Sequence, residues 1–301
     1  CRQRAGLHDA DTVADAGRVL LVVRLELQRS GHDLAVQRVL AALLDGAADP
    51  FPAAPETGGT VGEGSLPLGL AATALVTGWP GGPALAAPLD LSVPAGTSLA
   101  IVGPSGVGKT TLLLTLAGML PPREGLVRLD GLDPHSLRGS DRATHVALTA
   151  EDAHIFSTSV RENLRAARGD LSDVDAREVL QAAGLSEWVA TLPQGLDTLI
   201  TSETVSGGER RRLLVARALA SPAPLLLLDE PAEHLSAEVA DELMRDLLGL
   251  TATGRSVVIV THHTAALAHA DRVLELLPSP SPASREARVD SAHDLEETST
   301  P

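Results

Sequence analysis

Residues 103–111 read GPSGVGKTT, and Lys109 within them is the single lysine among the chain's 24 lysine and arginine residues. Arginine is a flat fork with fixed donor directions, whereas lysine is a compact, flexible point charge, so a site that tucks a cation between two phosphates does not accept the exchange. The exception points to a phosphate. Gly103, Gly108, Lys109 and Thr110 satisfy the G-x-x-x-x-G-K-[ST] pattern. The flanks agree with it: GTSLAIVG reads as a short apolar strand ending in glycine, and KTTLLLTLAGML carries leucines at helical spacing until Pro121 and Pro122 stop it. Glycines let such a loop curl so that its N–H groups and the helix N-terminus face an anion. Lys109 then reaches the β and γ phosphates of a nucleotide and Thr110 offers its hydroxyl to Mg²⁺. Pro104, Ser105, Gly106, Val107 and Thr111 complete the cradle.

The 301 residues are 44% hydrophobic, ample for a buried core, and carry a formal net charge of −15. That acidity argues against nucleic acid as a partner, because phosphate backbones need a basic face. One cysteine, Cys1, forms no internal disulfide, so no oxidising compartment is called for. No run reaches the roughly 18 apolar residues needed to cross a bilayer.

Along the chain, residues 1–32 give no period and stay unassigned. Residues 33–45, DLAVQRVLAALLD, place Val36, Val39, Leu40, Leu43 and Leu44 on one helical face behind Asp33 as N-cap. Residues 46–65 are a Pro/Gly/Ala-rich linker, residues 66–277 a compact domain, and residues 278–301 a Pro/Ser/acid-rich tail expected to be disordered. Within the domain, PLLLLDE and RSVVIVTHH read as buried strands. SAEVADELMRDLLGL, with Ser236 as N-cap, and TAALAHA read as helices. Strands separated by helices predict an α/β fold with a mainly parallel sheet covered on both faces. Residues 155–220 show only helical patterning, which predicts a helical insertion.

Asp229 and Glu230 end PLLLLDE, at the edge where ligands bind in such sheets. There Asp229 would hold Mg²⁺ and Glu230 would polarise the water that attacks the γ-phosphate. VSGGERRRLLVARALASPAPLLLLDEP, residues 205–231, then supplies a signature: taken with the phosphate loop, residues 66–277 resemble the nucleotide-binding domain of ABC transporters. The resemblance implies a P-loop NTPase of ABC type, with a small antiparallel β subdomain beside the parallel sheet and an ATPase activity. It also implies that Ser206, Gly207, Gly208 and Glu209 close on ATP held by an opposite subunit. Trp79 stands where an aromatic stacks on adenine. His262 looks like the histidine that senses the γ-phosphate, with His263 a surface neighbour.

Three positions depart from the family pattern. Glu151 stands where a glutamine is usual, and is expected to bring negative charge towards Mg²⁺ and the attacking water and to slow turnover. Ser236 replaces an aspartate, and the segment DTLITSETVSGGE is short before the signature. EDAHIFSTSVRENLRAARGD and DEPAEHL resemble the CydC half of CydDC-type heterodimeric exporters. That implies a CydD-like partner half, a role in cytochrome bd assembly, thiol compounds or haem as cargo, and a place at the cytoplasmic face of the plasma membrane. The membrane-spanning domain of such half-transporters is missing from this chain; residues 33–45 resemble the end of the last membrane helix, and the chain is read as a truncated gene or incomplete assembly. Lys109→Arg, which keeps the charge but not its shape, is expected to abolish ATP binding in equilibrium titration; retained micromolar affinity would refute the reading of the lone lysine.

Overall fold

Two runs, Leu225–Asp229 and Ser256–Val260, are buried at every position, and strands of that kind must be covered on both faces. The computed structural model describes residues 69–85 and 87–278. The expected helix over 33–45, the stretch 1–32, the linker 46–65 and the tail from residue 279 lie outside the described residues. Every described element belongs to the unit Val61–Pro301, one of two into which the chain divides.

The order of elements is β1 (Gly69–Val76), β2 (Leu89–Pro94), β3 (Ser98–Val102), α1 (Lys109–Leu116), β4 (Glu124–Leu129), α2 (Gly139–Ala143), β5 (Val146–Thr149), β6 (Thr158–Ser159), α3 (Val160–Arg165), α4 (Asp173–Ala182), α5 (Ser186–Thr191), β7 (Leu199–Ile200), α6 (Gly207–Ala220), β8 (Leu225–Asp229), α7 (Ala237–Leu248), β9 (Ser256–Val260) and β10 (Arg272–Glu275). Five strands form a wholly parallel sheet in the order β10-β3-β9-β8-β5, and β2-β1-β4 form a separate antiparallel sheet. The α/β class and the small antiparallel subdomain agree with the sequence expectation.

Alternation along the central strands divides the core in two. Leu225 and Leu227 of β8, with Val258 and Val260 of β9, face α1 and the antiparallel sheet. Leu226 and Leu228, with Val257 and Ile259, face α6, α7 and the helical segment. Helix α1 is therefore enclosed, with Thr111, Leu112, Leu113, Thr115 and Leu116 all buried, as its nearly uninterrupted apolar sequence requires.

Three expectations need correction. Helix α1 stops before the paired prolines: the N–H groups of Gly118 and Met119 donate to Thr115 O at 3.0 Å and Leu114 O at 2.9 Å. This is a Schellman termination, with Gly118 in the left-handed region at φ 70. Residues 155–220 are not only helical, because β6 and β7 pair antiparallel through Thr158↔Ile200 and Ser159↔Leu199. TAALAHA forms a 3₁₀ turn, Thr264–His269, rather than an α-helix. Ser236 does occupy the N-cap of α7, though its side chain makes no capping hydrogen bond.

Gly118 is a position where a side chain is costly. A Cβ there would sit 2.4 Å from the Pro134 carbonyl oxygen, and the left-handed backbone adds its own strain. Gly118→Ala is expected to lower unfolding free energy by roughly 2–4 kcal/mol, read as a reduced denaturant midpoint.

Candidate functional site

The parallel register carries the chemistry to one edge. In β8 and β9, Asp229 pairs with Val260; in β3 and β9, Ile101 pairs with Val260; in β5 and β8, Thr149 pairs with Leu228. The carboxyl ends of four strands thus finish level. The phosphate loop leaves β3, Glu151 follows β5, Asp229 and Glu230 close β8, and His262 follows β9. This is the edge at which parallel α/β sheets take ligands.

The loop is shaped by glycine. Gly108 is the N-cap of α1 at φ 101, in the left-handed region, and a Cβ on it would lie 2.8 Å from Leu85 Cβ. Gly106, at φ 78, faces open space in which an added Cβ meets nothing within 4 Å. Val107 is buried at 4% exposure and anchors the loop, whereas Pro104, Ser105 and Gly106 are exposed. Lys109 Nζ folds back to donate to Gly103 O at 2.9 Å and Pro104 O at 3.1 Å. Its ammonium is thereby held across the mouth of the loop, bonded to carbonyls of the loop itself. Thr111 points the other way, into the core.

Thr110 Oγ1 donates to Asp229 Oδ2 at 2.5 Å, joining the first turn of α1 to the end of β8. Asp229 is only 2% exposed, and its pKa is pushed up to about 6: burial is the main cause, the nearby Glu151 and Glu230 charges add to it, and the Thr110 bond and Lys109 oppose it. Glu230 adopts a left-handed backbone at φ 46. Its N–H donates to Val260 O at 3.0 Å, and its Oε2 lies 2.9 Å from His262 Nδ1. The ring of His262 is mostly exposed, at 63%, while the Glu230 side chain is 12% exposed. His263 stacks on His262 with centroids 4.5 Å apart; it is half-buried, not the free surface neighbour the sequence suggested.

Lys109, Thr110, Glu151, Asp229, Glu230 and His262 are therefore brought together. The signature residues form a separate cluster. Ser206 Oγ accepts from Glu209 N–H at 3.3 Å and Glu209 Oε2 accepts from Ser206 N–H at 2.7 Å, a capping box that opens α6. A Cβ on Gly208 would lie 3.3 Å from Leu235 Cδ2, and one on Gly207 3.8 Å from His234. Trp79 is half-buried in the turn after β1, where its carbonyl accepts from Gly82 N–H at 2.9 Å and Arg123 Nη1 at 3.2 Å. Leu85, a few residues further on, is the neighbour that a Cβ on Gly108 of the phosphate loop would meet.

Sequence reading missed the arginines of α6. Arg211 is 4% exposed; its Nη1 donates to Glu151 O and its Nη2 to Glu233 Oε2, both at 2.9 Å. Arg210 donates to Ala153 O at 2.9 Å and Arg217 to His154 O at 2.8 Å. Burial lowers the Arg217 pKa to about 10. The signal was in the sequence: three consecutive arginines, 210–212, sit on a helix whose neighbours are apolar.

Residues 86–233 match the family described as ABC transporter. The chain carries an ABC transporter domain. It is 38% identical over 181 residues to the mycobactin import ATP-binding/permease protein IrtB of Mycobacterium tuberculosis, covering 60% of this chain and 31% of that protein. It is 32% identical over 275 residues to the glutathione/L-cysteine transport system ATP-binding/permease protein CydD of Escherichia coli, covering 88% of this chain and 46% of that protein. Among solved structures, a bacterial Atm1-family ABC exporter with ATP bound matches at 25% identity and a TM-score of 0.67, over 86% of this chain and 47% of that one. The chain thus spans a third to a half of the length of these relatives. Among the described residues no helix is long and apolar enough to cross a membrane. An ABC transporter domain is an ATPase unit, and the edge geometry suits that chemistry.

The residues fit magnesium and a triphosphate. Among the described residues no three His, Cys, Asp or Glu side chains could hold a metal by themselves. A hydroxyl beside a buried carboxylate, with the remaining positions left to phosphate and water, is the donor set magnesium favours. The open space over Gly106 and the Lys109 ammonium, held on loop carbonyls, fit the phosphates.

A carboxyl with a raised folded-state pKa binds its proton more tightly folded than unfolded, so its contribution is fully present below the ordinary value of 3.8 and is lost as pH rises through about 6. Asp229→Asn is expected to stabilise the nucleotide-free protein at pH 8 by on the order of 2 kcal/mol and to flatten its pH dependence between those values, measured by denaturant unfolding across pH.

Proposed function

We propose that this chain is the ATP-binding and ATP-hydrolysing part of an ABC exporter half of the CydDC type, CydC-like, working with a CydD-like partner at the cytoplasmic face of the plasma membrane. One observation carries the ATPase reading: Thr110 and Asp229 are bonded at 2.5 Å next to a Glu230–His262 pair at 2.9 Å, all at the exit of the phosphate loop. The CydDC assignment is supported by coverage. The alignment with the Escherichia coli CydD extends over 88% of this chain, more than residues 66–277 can supply, whereas that with IrtB covers 60%. A link to cytochrome bd assembly, with thiol compounds or haem as cargo, belongs to the same proposal.

In this reading Lys109 and the loop N–H groups grip the β and γ phosphates, Thr110 and Asp229 hold magnesium with Glu151 beside them, and Trp79 stacks on the base. Bound magnesium would neutralise phosphate charge and polarise the phosphoryl group. Glu230 orients the attacking water and accepts its proton, and His262, bonded to Glu230, fixes that carboxylate's direction. Ser206, Gly207 and Gly208 present the start of α6 to the nucleotide of the partner half. Glu209 holds that turn through its capping box with Ser206.

A second reading has a specific basis: the chain is a regulatory half whose ATP serves mainly as glue between the two halves. Glu151 adds negative charge beside Asp229, and the Glu209 carboxylate sits at the helix start where a phosphate would approach. The two readings part on Glu230→Gln in a single-turnover assay with the partner half present. If this site hydrolyses, the variant is expected to slow turnover by roughly 100-fold or more while retaining ATP. An unchanged rate assigns the chain to the regulatory reading.

A further inference from the structure

Residues 150–157, between β5 and β6, run past the catalytic edge without a strand to pair with, so their carbonyls need other donors. Side chains supply them. Arg211 takes Glu151 O, Arg210 takes Ala153 O and Arg217 takes His154 O. Asn163 then takes Phe156 O at 2.9 Å and Ser159 O at 3.1 Å, with Arg217 bonded to Asn163 and stacked 4.8 Å over Phe156. Four buried or half-buried side chains thus grip one stretch of backbone, three of them from α6.

Arg211 differs from the others in what its second nitrogen reaches. Glu233 lies in the turn that follows β8, where its N–H donates to Glu230 O at 3.1 Å. That turn holds Glu230 in its left-handed conformation, φ 46, which a non-glycine residue keeps only when its surroundings impose it. The Arg211–Glu233 ion pair, whose side chains are 5% and 28% exposed, is the restraint on the far end of that turn. One guanidinium therefore spans the gap between the Glu151 turn and the Glu230 turn, the two flanks of Asp229.

We propose that Arg211 is a positioning residue for ATP hydrolysis: through Glu151 O and Glu233 it sets the separation of the two acid-bearing turns, and so links the start of α6 to the place where water is activated. Arginine is needed because two ligands in different directions must be held by one rigid fork. The inference rests on the ATPase reading above.

The test compares the full chain with Arg211→Lys, Glu233→Gln and the double variant, each with the partner half present, measuring ATP affinity, kcat with magnesium, and melting temperature. Arg211→Lys keeps the charge but presents a single ammonium where two nitrogens are used. It is expected to lower kcat by about 10- to 100-fold while ATP affinity stays within about threefold, because misplacement of reacting groups is felt in the chemical step and not in phosphate binding. Glu233→Gln should lower kcat in the same sense, and the double variant should be no worse than Arg211→Lys, since both act through one contact. Unaltered kcat in a folded Arg211→Lys, or equal losses in affinity and kcat, overturns the proposal, as do additive effects in the double variant. If Arg211→Lys does not fold, Glu233→Gln decides, and wild-type kcat in it is refuting. A failure of the unmodified chain to bind ATP at all would instead bring down the functional reading on which the inference stands.

Discussion

A carboxylate ends a strand that is otherwise entirely apolar. Asp229 closes β8, the five residues of which are all buried, and its in-register neighbour in β9 is Val260. An ionised acid in such surroundings needs donors or a cation. The side-chain donor that reaches it is the hydroxyl of Thr110, while Glu151 and Glu230 press on it with like charge. The position is thus poised for a cation, and its neighbours are arranged around that need. Thr110 belongs to the first turn of α1, so satisfying Asp229 also fixes the phosphate loop against the sheet.

The same constraint explains the backbone at Glu230. The chain must turn off β8 immediately, because continuing the strand would carry a second acid into the sheet beyond its end. It does so by taking a left-handed conformation at Glu230 and closing a turn through Glu233. That conformation costs about 1–3 kcal/mol, and it leaves the Glu230 carboxylate beside His262, which leaves β9 by way of Thr261. Local strain and catalytic geometry have one origin.

Much of this was legible in the sequence. The phosphate loop, the strand PLLLLDE and the strand RSVVIVTHH each carry their own punctuation, and because parallel strands finish level, motifs far apart in sequence had to meet. The end of α1 was misread because Gly118 and the paired prolines both terminate helices, and only the Schellman bonds and the approach of Pro134 show that Gly118 acts first. The ribbon of β6 and β7 was invisible, since two residues a side show no alternation. The Arg211 bridge was illegible for another reason. Its ligands are a main-chain carbonyl and an acid 60 and 22 residues away, and a charged helix face ordinarily reads as one turned to water.

The grip on residues 151–163 has a consequence for drift among related chains. The arginines hold carbonyl oxygens, which every amino acid presents alike, so the side chains of Ala153 and His154 are chemically irrelevant to being held there. A library randomised at the exposed positions 151 and 152 should keep its path, whereas a library randomised at the helix positions that do the holding should lose it. Tolerance and intolerance are thereby separated onto two different segments of the chain, even though the same bonds join them.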